Sequence, residues 1–335
     1  MPGKTPSVLI IGCGNIAGGF DLDRRDTPTP FTHAGAYARH GGFELVACVD
    51  PDQARRAAFM KRWSIAQGFD SMDAALAAGL RAEIVSVCSP TASHYQDVLD
   101  ALRMAPRLVF CEKPLTTSLA LTAELITRCA TAGVLLTVNY IRRWDPEVAR
   151  LAEELRSGAW GAVRSVTGTY NKGALNNGSH MIDLLHLLLG RLALRHAAPP
   201  IYDALADDPS IPAMFSAPGG EMVQIGCGNG GDYALFELQL VTEKGVIAME
   251  DGGLHWRTRA AALSQDFEGY RVLKEGVRRP GGLPLAMLRA VSQIHDAVLD
   301  GGALSSTGAN ALEAQQLCEA MRQRAAIPQA SIQQT

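Results

Sequence analysis

The stretch Ser7–Gly19, SVLIIGCGNIAGG, decides the fold. An apolar run of strand length ends in a Gly-x-Gly turn, with Gly12, Gly14 and Ala17 in the three small-residue places. Glycine first permits a tight turn, glycine second lets backbone approach a bound phosphate, and a small third residue lets a helix pack on the strand. The pattern needs a strand before it and a helix after it, so that amides at the helix start face an anion. A second match, QIGCGNGGDY with Gly226, Gly228 and Gly231, runs instead into DYALFELQLV, whose period-two alternation reads as a strand. Those glycines read as a β-turn. Dinucleotide phosphate binding therefore falls to Gly12, Gly14, Asn15 and Ile16.

Working outward, strand-like and helix-like segments alternate as far as VLLTVNY, among them FELVACVD, AEIVSVCSP and RLVFCEKP between helical runs. This predicts an α/β Rossmann domain over residues 1–140, a doubly wound parallel sheet with crossover helices. The runs VLIIG and IVSVCS are apolar throughout, as strands covered on both faces should be. After residue 140 the pattern changes. A helix, DPEVARLAEELRSG, leads to segments that alternate or pair through turn signals such as Glu243-Lys244-Gly245, as antiparallel strands do. Two amphipathic helices follow, then a polar tail after Ile327 that is expected to fray. Residues 141–335 are thus expected to form a second, α+β domain.

Composition narrows the partners. With a net charge of −3, and 47% hydrophobic against 19% charged residues, no basic patch points to nucleic acid or an anionic membrane. The seven cysteines are scattered, with no C-x-x-C pair. They read as buried thiols of a cytoplasmic protein. No apolar run reaches membrane-spanning length.

In a Rossmann unit the second strand ends in an acidic residue that accepts hydrogen bonds from the adenosine ribose. FELVACVD supplies Asp50. It lies farther from the glycines than usual because GFDLDRRDTPTPFT looks inserted between them. That loop, with Asp21, Asp23 and His33, reads either as a cover for the cofactor or as a solvated excursion. A carboxylate at Asp50 repels a 2′-phosphate, which favours NAD over NADP, although Arg55 and Arg56 follow one turn later.

Lys172–Gly190, KGALNNGSHMIDLLHLLLG, places His180, Asp183 and His186 on one arc of about 120° of an otherwise apolar helix. Ionisable groups on a buried helix must find partners or face a cleft. Further ligands at a recognisable spacing are missing, so no metal is expected. His186 reads best as bonded to backbone or a neighbouring helix.

Six pieces, IGCGNIAGG, VACVD, CSPTASHYQDVLDAL, FCEKPLTTS, VNYIRRWDP and NNGSHMIDLLHLLLG, resemble the Gfo/Idh/MocA oxidoreductase family, and the likeness spans essentially the whole chain. It implies a C-terminal domain with a large, mainly antiparallel, open-faced sheet, through which members form homodimers or homotetramers. It also implies hydride transfer between NAD(P) and a secondary hydroxyl or ketone of a sugar, cyclitol or nucleotide sugar. Ser89, Pro90, His94 and Glu112 would then belong to the cofactor site, with a cis bond at Pro114 aiming Lys113 at the substrate oxygen. Tyr140 and Arg142, beside Asn139, would line the cleft near nicotinamide and substrate. His180 would be the general acid/base, with Asp183 orienting it or binding substrate. The family's D-x-G-x-H pattern has Asn176 in the aspartate's place here, where it can bond a sugar hydroxyl but brings no charge. Lys172 would bind an acidic group of the substrate. Two other readings stay open: an NAD-dependent glycosidase that oxidises its sugar transiently, and a non-catalytic dinucleotide sensor.

Overall fold

The computed structural model describes residues 5–24 and 27–326; the tail expected to fray lies outside them. Two compact units divide the chain: one runs to Pro146 and regains Leu283–Leu312, and the other holds Glu147–Gly282 and the chain from Glu313.

In the first unit six parallel strands, β1 (Ser7–Ile11), β2 (Glu44–Val49), β3 (Gln67–Phe69), β4 (Ile84–Val87), β5 (Leu108–Cys111) and β6 (Leu135–Val138), alternate with α1 (His33–His40), α2 (Gln53–Trp63), α3 (Met72–Ala77), α4 (Thr91–Leu102) and α5 (Leu119–Thr131). Their order is β3-β2-β1-β4-β5-β6, so the direction of winding reverses between β1 and β4. Ligands bind at such a reversal, outside the carboxyl ends of the strands. β4 and β5 are buried at every position, as their unbroken apolar runs require. Polar residues set the helix starts: Thr32, Asp52, Ser71 and Ser118 each accept the amide three positions on.

The second unit contains α6 (Pro146–Arg156) from Glu147 onward, β7 (Val163–Tyr170), α7 (Ser179–Leu189), β8 (Ala193–Ala197), β9 (Ala213–Ser216), β10 (Met222–Cys227), β11 (Phe236–Thr242), β12 (Gly245–Glu250), β13 (His255–Leu263), β14 (Arg271–Leu273) and β15 (Val277–Pro280). They make one sheet, β14-β13-β12-β11-β7-β10-β9-β8, with β15 added on β13. Only β7 and β10 pair in parallel. The predicted turn at Glu243-Lys244 closes the β11–β12 hairpin, where Thr242 pairs with Gly245. The second glycine cluster lies between β10 and β11, which flank β7 on opposite sides, and no helix follows it. Its reading as a turn between strands stands.

The two terminal helices are α8 (Ala286–Asp300) and α9 (Gly308–Ala326). The expected boundary at residue 140 gave α8 to the second domain, whereas it belongs to the first unit. The reason is burial: Met287, Ala290, Val291, Ile294 and Val298 share one core cluster with Val8, Ile10 and Tyr37. Amphipathic spacing shows that a helix has an apolar face, not which core that face enters. Among the described residues no helix is long and apolar enough to cross a membrane.

Candidate active site

The glycine loop is built by close backbone approach. Gly12 has φ +83°, and a Cβ there would lie 2.6 Å from the Ser89 nitrogen, so only glycine fits between β1 and the turn after β4. A Cβ at Gly14 would meet nothing within 4 Å, which leaves the space that a pyrophosphate needs. Asp50, 2% exposed, directly follows β2 beneath this loop. Its Oδ2 accepts the Cys13 amide at 2.8 Å and its Oδ1 the Asp52 amide at 2.9 Å. Arg55 Nη1 stands 3.5 Å from Oδ2, and Arg56 bonds the Asp50 carbonyl. The arginines noted in the sequence therefore brace Asp50. Asn15 is exposed beside the open space and Ile16 is half-buried.

The insertion interrupts a helix rather than a loop. The Gly18 amide bonds the Gly14 carbonyl, and the Phe20 amide bonds that of Asn15. After the excursion the His33 amide returns to the Ile16 carbonyl at 3.2 Å, and Ala34 to Ala17 at 2.8 Å. Buried Asp21 closes the excursion by accepting the amides of Phe31 and Thr32 and the Thr32 hydroxyl. Arg62 of α2 holds the Asp21 and Leu22 carbonyls from outside. Of the two readings open for this loop, its polar residues support neither as a whole: Asp21 staples it and His33 points into the core.

His33 leads to the Glu-Lys-Pro turn after β5. Its Nε2 lies 3.0 Å from Glu112 Oε1, and its ring packs on Phe110 with centroids 4.4 Å apart. Asn139 Nδ2 donates to the same oxygen at 2.6 Å, while Glu112 Oε2 accepts the Lys113 amide at 3.3 Å. Burial alone would raise the Glu112 carboxyl. The His33 hydrogen bond and charge, the Asn139 amide and the Lys113 ammonium outweigh it and hold the group below its usual range. An ionised acceptor makes the His33 nitrogen the donor. The Lys113–Pro114 peptide is cis, as the resemblance implies.

His94 is buried, with Nδ1 2.9 Å from the Pro114 carbonyl and Nε2 2.8 Å from that of Ser89. It ties the two turns together, and both ring nitrogens are engaged by the chain. Its implied cofactor contact is thus indirect, through the carbonyls that it holds. Ser89 bonds Asp97 of α4, whose carboxyl burial pushes up. Pro90 caps α4 with extended backbone. Tyr140 and Arg142 are buried just after β6.

In the second unit β7 delivers the chain to a left-handed Lys172 and a π-turn, Gly173–Gly178, that runs directly into α7. α7 lies close on β7, because a Cβ at Gly168 would come within 3.0 Å of Met181 Sδ and one at Gly178 within 2.8 Å of the Tyr170 ring. His180 and His186 are partly exposed on this helix and Asp183 is buried. Three residues absent from the sequence reading hold the turn. Asp203 Oδ2 accepts the Lys172 and Gly230 amides, Ser210 Oγ accepts that of Gly173, and Asp208 accepts those of Leu175 and Asn176. Burial would raise the Asp203 carboxyl, but those amides and Ser210 bring it below its usual range. All three come from YDALADDPSIP, a polar surface-loop composition with no spacing that points back to a turn whose Asn176 lies 32 positions before Asp208. Among the described residues no group of three His, Cys, Asp or Glu side chains is placed to hold a metal ion.

Comparison with known proteins follows this division. Residues 7–140 match the family model described as the oxidoreductase family with NAD-binding Rossmann fold, GFO_IDH_MocA. The first unit carries the NAD-binding domain of the Gfo/Idh/MocA oxidoreductase family. Over 276 residues, 77% of this chain and 70% of the relative, it is 26% identical to D-glucoside 3-dehydrogenase of Escherichia coli (strain K12). It is 33% identical to inositol 2-dehydrogenase of Rubrobacter xylanophilus over 159 residues, 47% of this chain and 41% of that one. Among solved structures, an oxidoreductase from Agrobacterium radiobacter in complex with NAD+, L-tartaric acid and magnesium is 18% identical, covers 97% of both chains and gives a TM-score of 0.77. The WlbA dehydrogenase from Bordetella pertussis, in complex with NADH and UDP-GlcNAcA, is 18% identical, with 96% and 97% covered and a TM-score of 0.75. The solved structures show the same fold across nearly the whole chain. The room at Gly14 and the acceptor at Asp50 fit the nicotinamide dinucleotide that the family model implies.

Proposed function

We propose that this protein is an NAD-dependent dehydrogenase acting on a secondary hydroxyl of a sugar or sugar derivative, with the reverse reduction equally open to it. One observation carries the reading: Lys113 follows the carboxyl end of β5, its amide fixed by a buried Glu112 carboxylate that His33 and Asn139 hold. A lysine whose backbone is held there suits a donor to the substrate oxygen, because a charge aligned in advance costs little to use as the oxygen gains or loses its proton.

Bound nicotinamide supplies the hydride acceptor. Lys113 Nζ bonds the reacting oxygen, and His180 takes the hydroxyl proton on oxidation and returns it on reduction; an imidazole exchanges protons near neutral pH. Asn176 and Asp183 bond substrate hydroxyls, Lys172 accommodates an acidic substituent, and Tyr140 and Arg142 shape the site. Asp50 selects NAD, since a buried carboxylate accepts ribose hydroxyls and repels a 2′-phosphate. The E. coli relative's name makes glucosides the first substrates to try, and those of the inositol dehydrogenases make cyclitols the second. Self-association is placed on the second unit's sheet, whose β13–β15 end exposes Leu263, Val272 and Val277.

The test is a panel of glucosides, free sugars, inositols and uronic-acid sugar nucleotides, incubated with NAD+ and followed by NADH absorbance, with sedimentation for the oligomer. Turnover of one class that H180A abolishes supports the reading. NADH binding without turnover of any class overturns it.

A further inference from the structure

We propose that Asp208, on the loop between β8 and β9, is a positioning residue that supplies the carboxylate position 176 lacks. This rests on the assignment of His180 as the proton-transfer group.

The π-turn before α7 leaves its amides without helical partners, and such amides carry partial positive charge. Asp208 meets two of them: Oδ1 lies 2.9 Å and Oδ2 3.1 Å from the Leu175 nitrogen, and Oδ2 lies 2.8 Å from the Asn176 nitrogen. The backbone is shaped around this carboxylate. Gly173 has φ +90°, and a Cβ there would fall 2.3 Å from Asp208 Oδ2. The loop itself is pinned, since Ile201 and Ser210 bridge each other and Arg322 of α9 donates to the Asp207 carbonyl at 3.2 Å. Around it stand Asp203 on the same loop, Lys172 on the turn, and Cys318 of α9, whose thiol is pushed up by burial and then by the Asp208 charge while Arg322 opposes it.

The side chain at 176 completes the argument. Asn176 Nδ2 donates to the Lys172 carbonyl at 2.9 Å. An aspartate there would set an oxygen against that carbonyl and a second negative charge beside Asp208. At the Leu175 and Asn176 amides the turn therefore holds one carboxylate well, and here it comes from the loop. Helical side chains tilt toward the amino end, so His180, four residues on, leans back toward the turn that Asp208 charges.

The experiment titrates the histidines of the full-length protein, labelled with ¹⁵N and observed by NMR, with the His180 signal identified by its loss in H180Q. Removing the charge in D208N should lower the His180 midpoint by about half a unit, the order expected for loss of a nearby unit charge in a high-dielectric site. N176D placed on D208N should restore it, and D208E should leave it near the starting value. A midpoint unmoved in D208N overturns the proposal. Should D208N not fold, the double variant decides: recovered folding and midpoint support the exchange of carboxylates, and continued unfolding overturns it. The readout needs no substrate, so a shifted midpoint in a protein that turns over nothing would fault the proposed reaction and leave Asp208 in place.

Discussion

The His33 imidazole and the Glu112 carboxylate, 79 positions apart in the chain, meet at 3.0 Å with the histidine fully buried. The contact exists because the chain departs through the short 3-10 helix Gly19–Asp21 and returns at His33, whose amide bonds the Ile16 carbonyl, which puts the imidazole one turn past the glycine loop. Glu112 in turn fixes the amide of Lys113.

Replacing His33 by phenylalanine keeps the ring stacked on Phe110 but removes the donor. Leaving a buried acceptor without one of its donors costs about 1–3 kcal/mol, so H33F should lose stability on that scale in urea denaturation, and H33Q, which can still donate, clearly less.

The same pair sets an acid response. Glu112 is held below its ordinary value of 4.5 in the folded protein, so its contribution is complete above that value and is lost as pH falls through the lower folded one. In H33F burial is less opposed and the carboxyl rises, so acid unfolding should begin at higher pH than in the unaltered protein. Thermal melts across a series of acidic buffers would show it, and superimposable pH curves would count against the pair.

Because the helix resumes in register, joining Gly19 directly to His33 should leave the dinucleotide domain folded. We expect deletion of residues 20–32 to change NADH affinity by less than about threefold, within 0.7 kcal/mol on the affinity scale. Loss of binding, measured by fluorescence titration, would mean that the excursion takes part in the cofactor site after all.

D50N should weaken NADH binding about tenfold, the worth of roughly one charge-assisted hydrogen bond, and should narrow the preference over NADPH because the repelling charge is gone. Parallel titrations with both dinucleotides measure the ratio.

For the chemistry, H180A and K113M should each lower kcat by about 10²–10⁴ while NADH affinity stays within a few fold. Stopped-flow measurement of the hydride step separates this from slowed product release; an unchanged step would remove the residue from the proton path.

Most of the first sheet was legible because its strands are unbroken apolar runs and its helices carry their own caps. The glycine loop was legible for the same kind of reason: Gly12, Gly14 and Asp50 act within one βαβ unit, and their spacing survives the insertion. His33 and Asp208 were not, because each acts on a partner that the chain brings back from far along its length. Nothing local distinguishes the acid of YDALADDPSIP that meets the π-turn from its neighbour Asp207, which offers α9 only a carbonyl.

By itself the sequence determined a dinucleotide-binding parallel sheet, a largely antiparallel second sheet, and a polar stripe on a buried helix, all of which follow from periodicities that act over a few residues. Tertiary structure decided the rest: that α8 joins the first unit's core, that a histidine beyond an insertion holds Glu112, and that the carboxylate absent at 176 stands on a distant loop. Periodicity reports which face a segment must bury, whereas the choice of partner depends on steric fit and on satisfying buried amides, and those are settled only when the chain is folded.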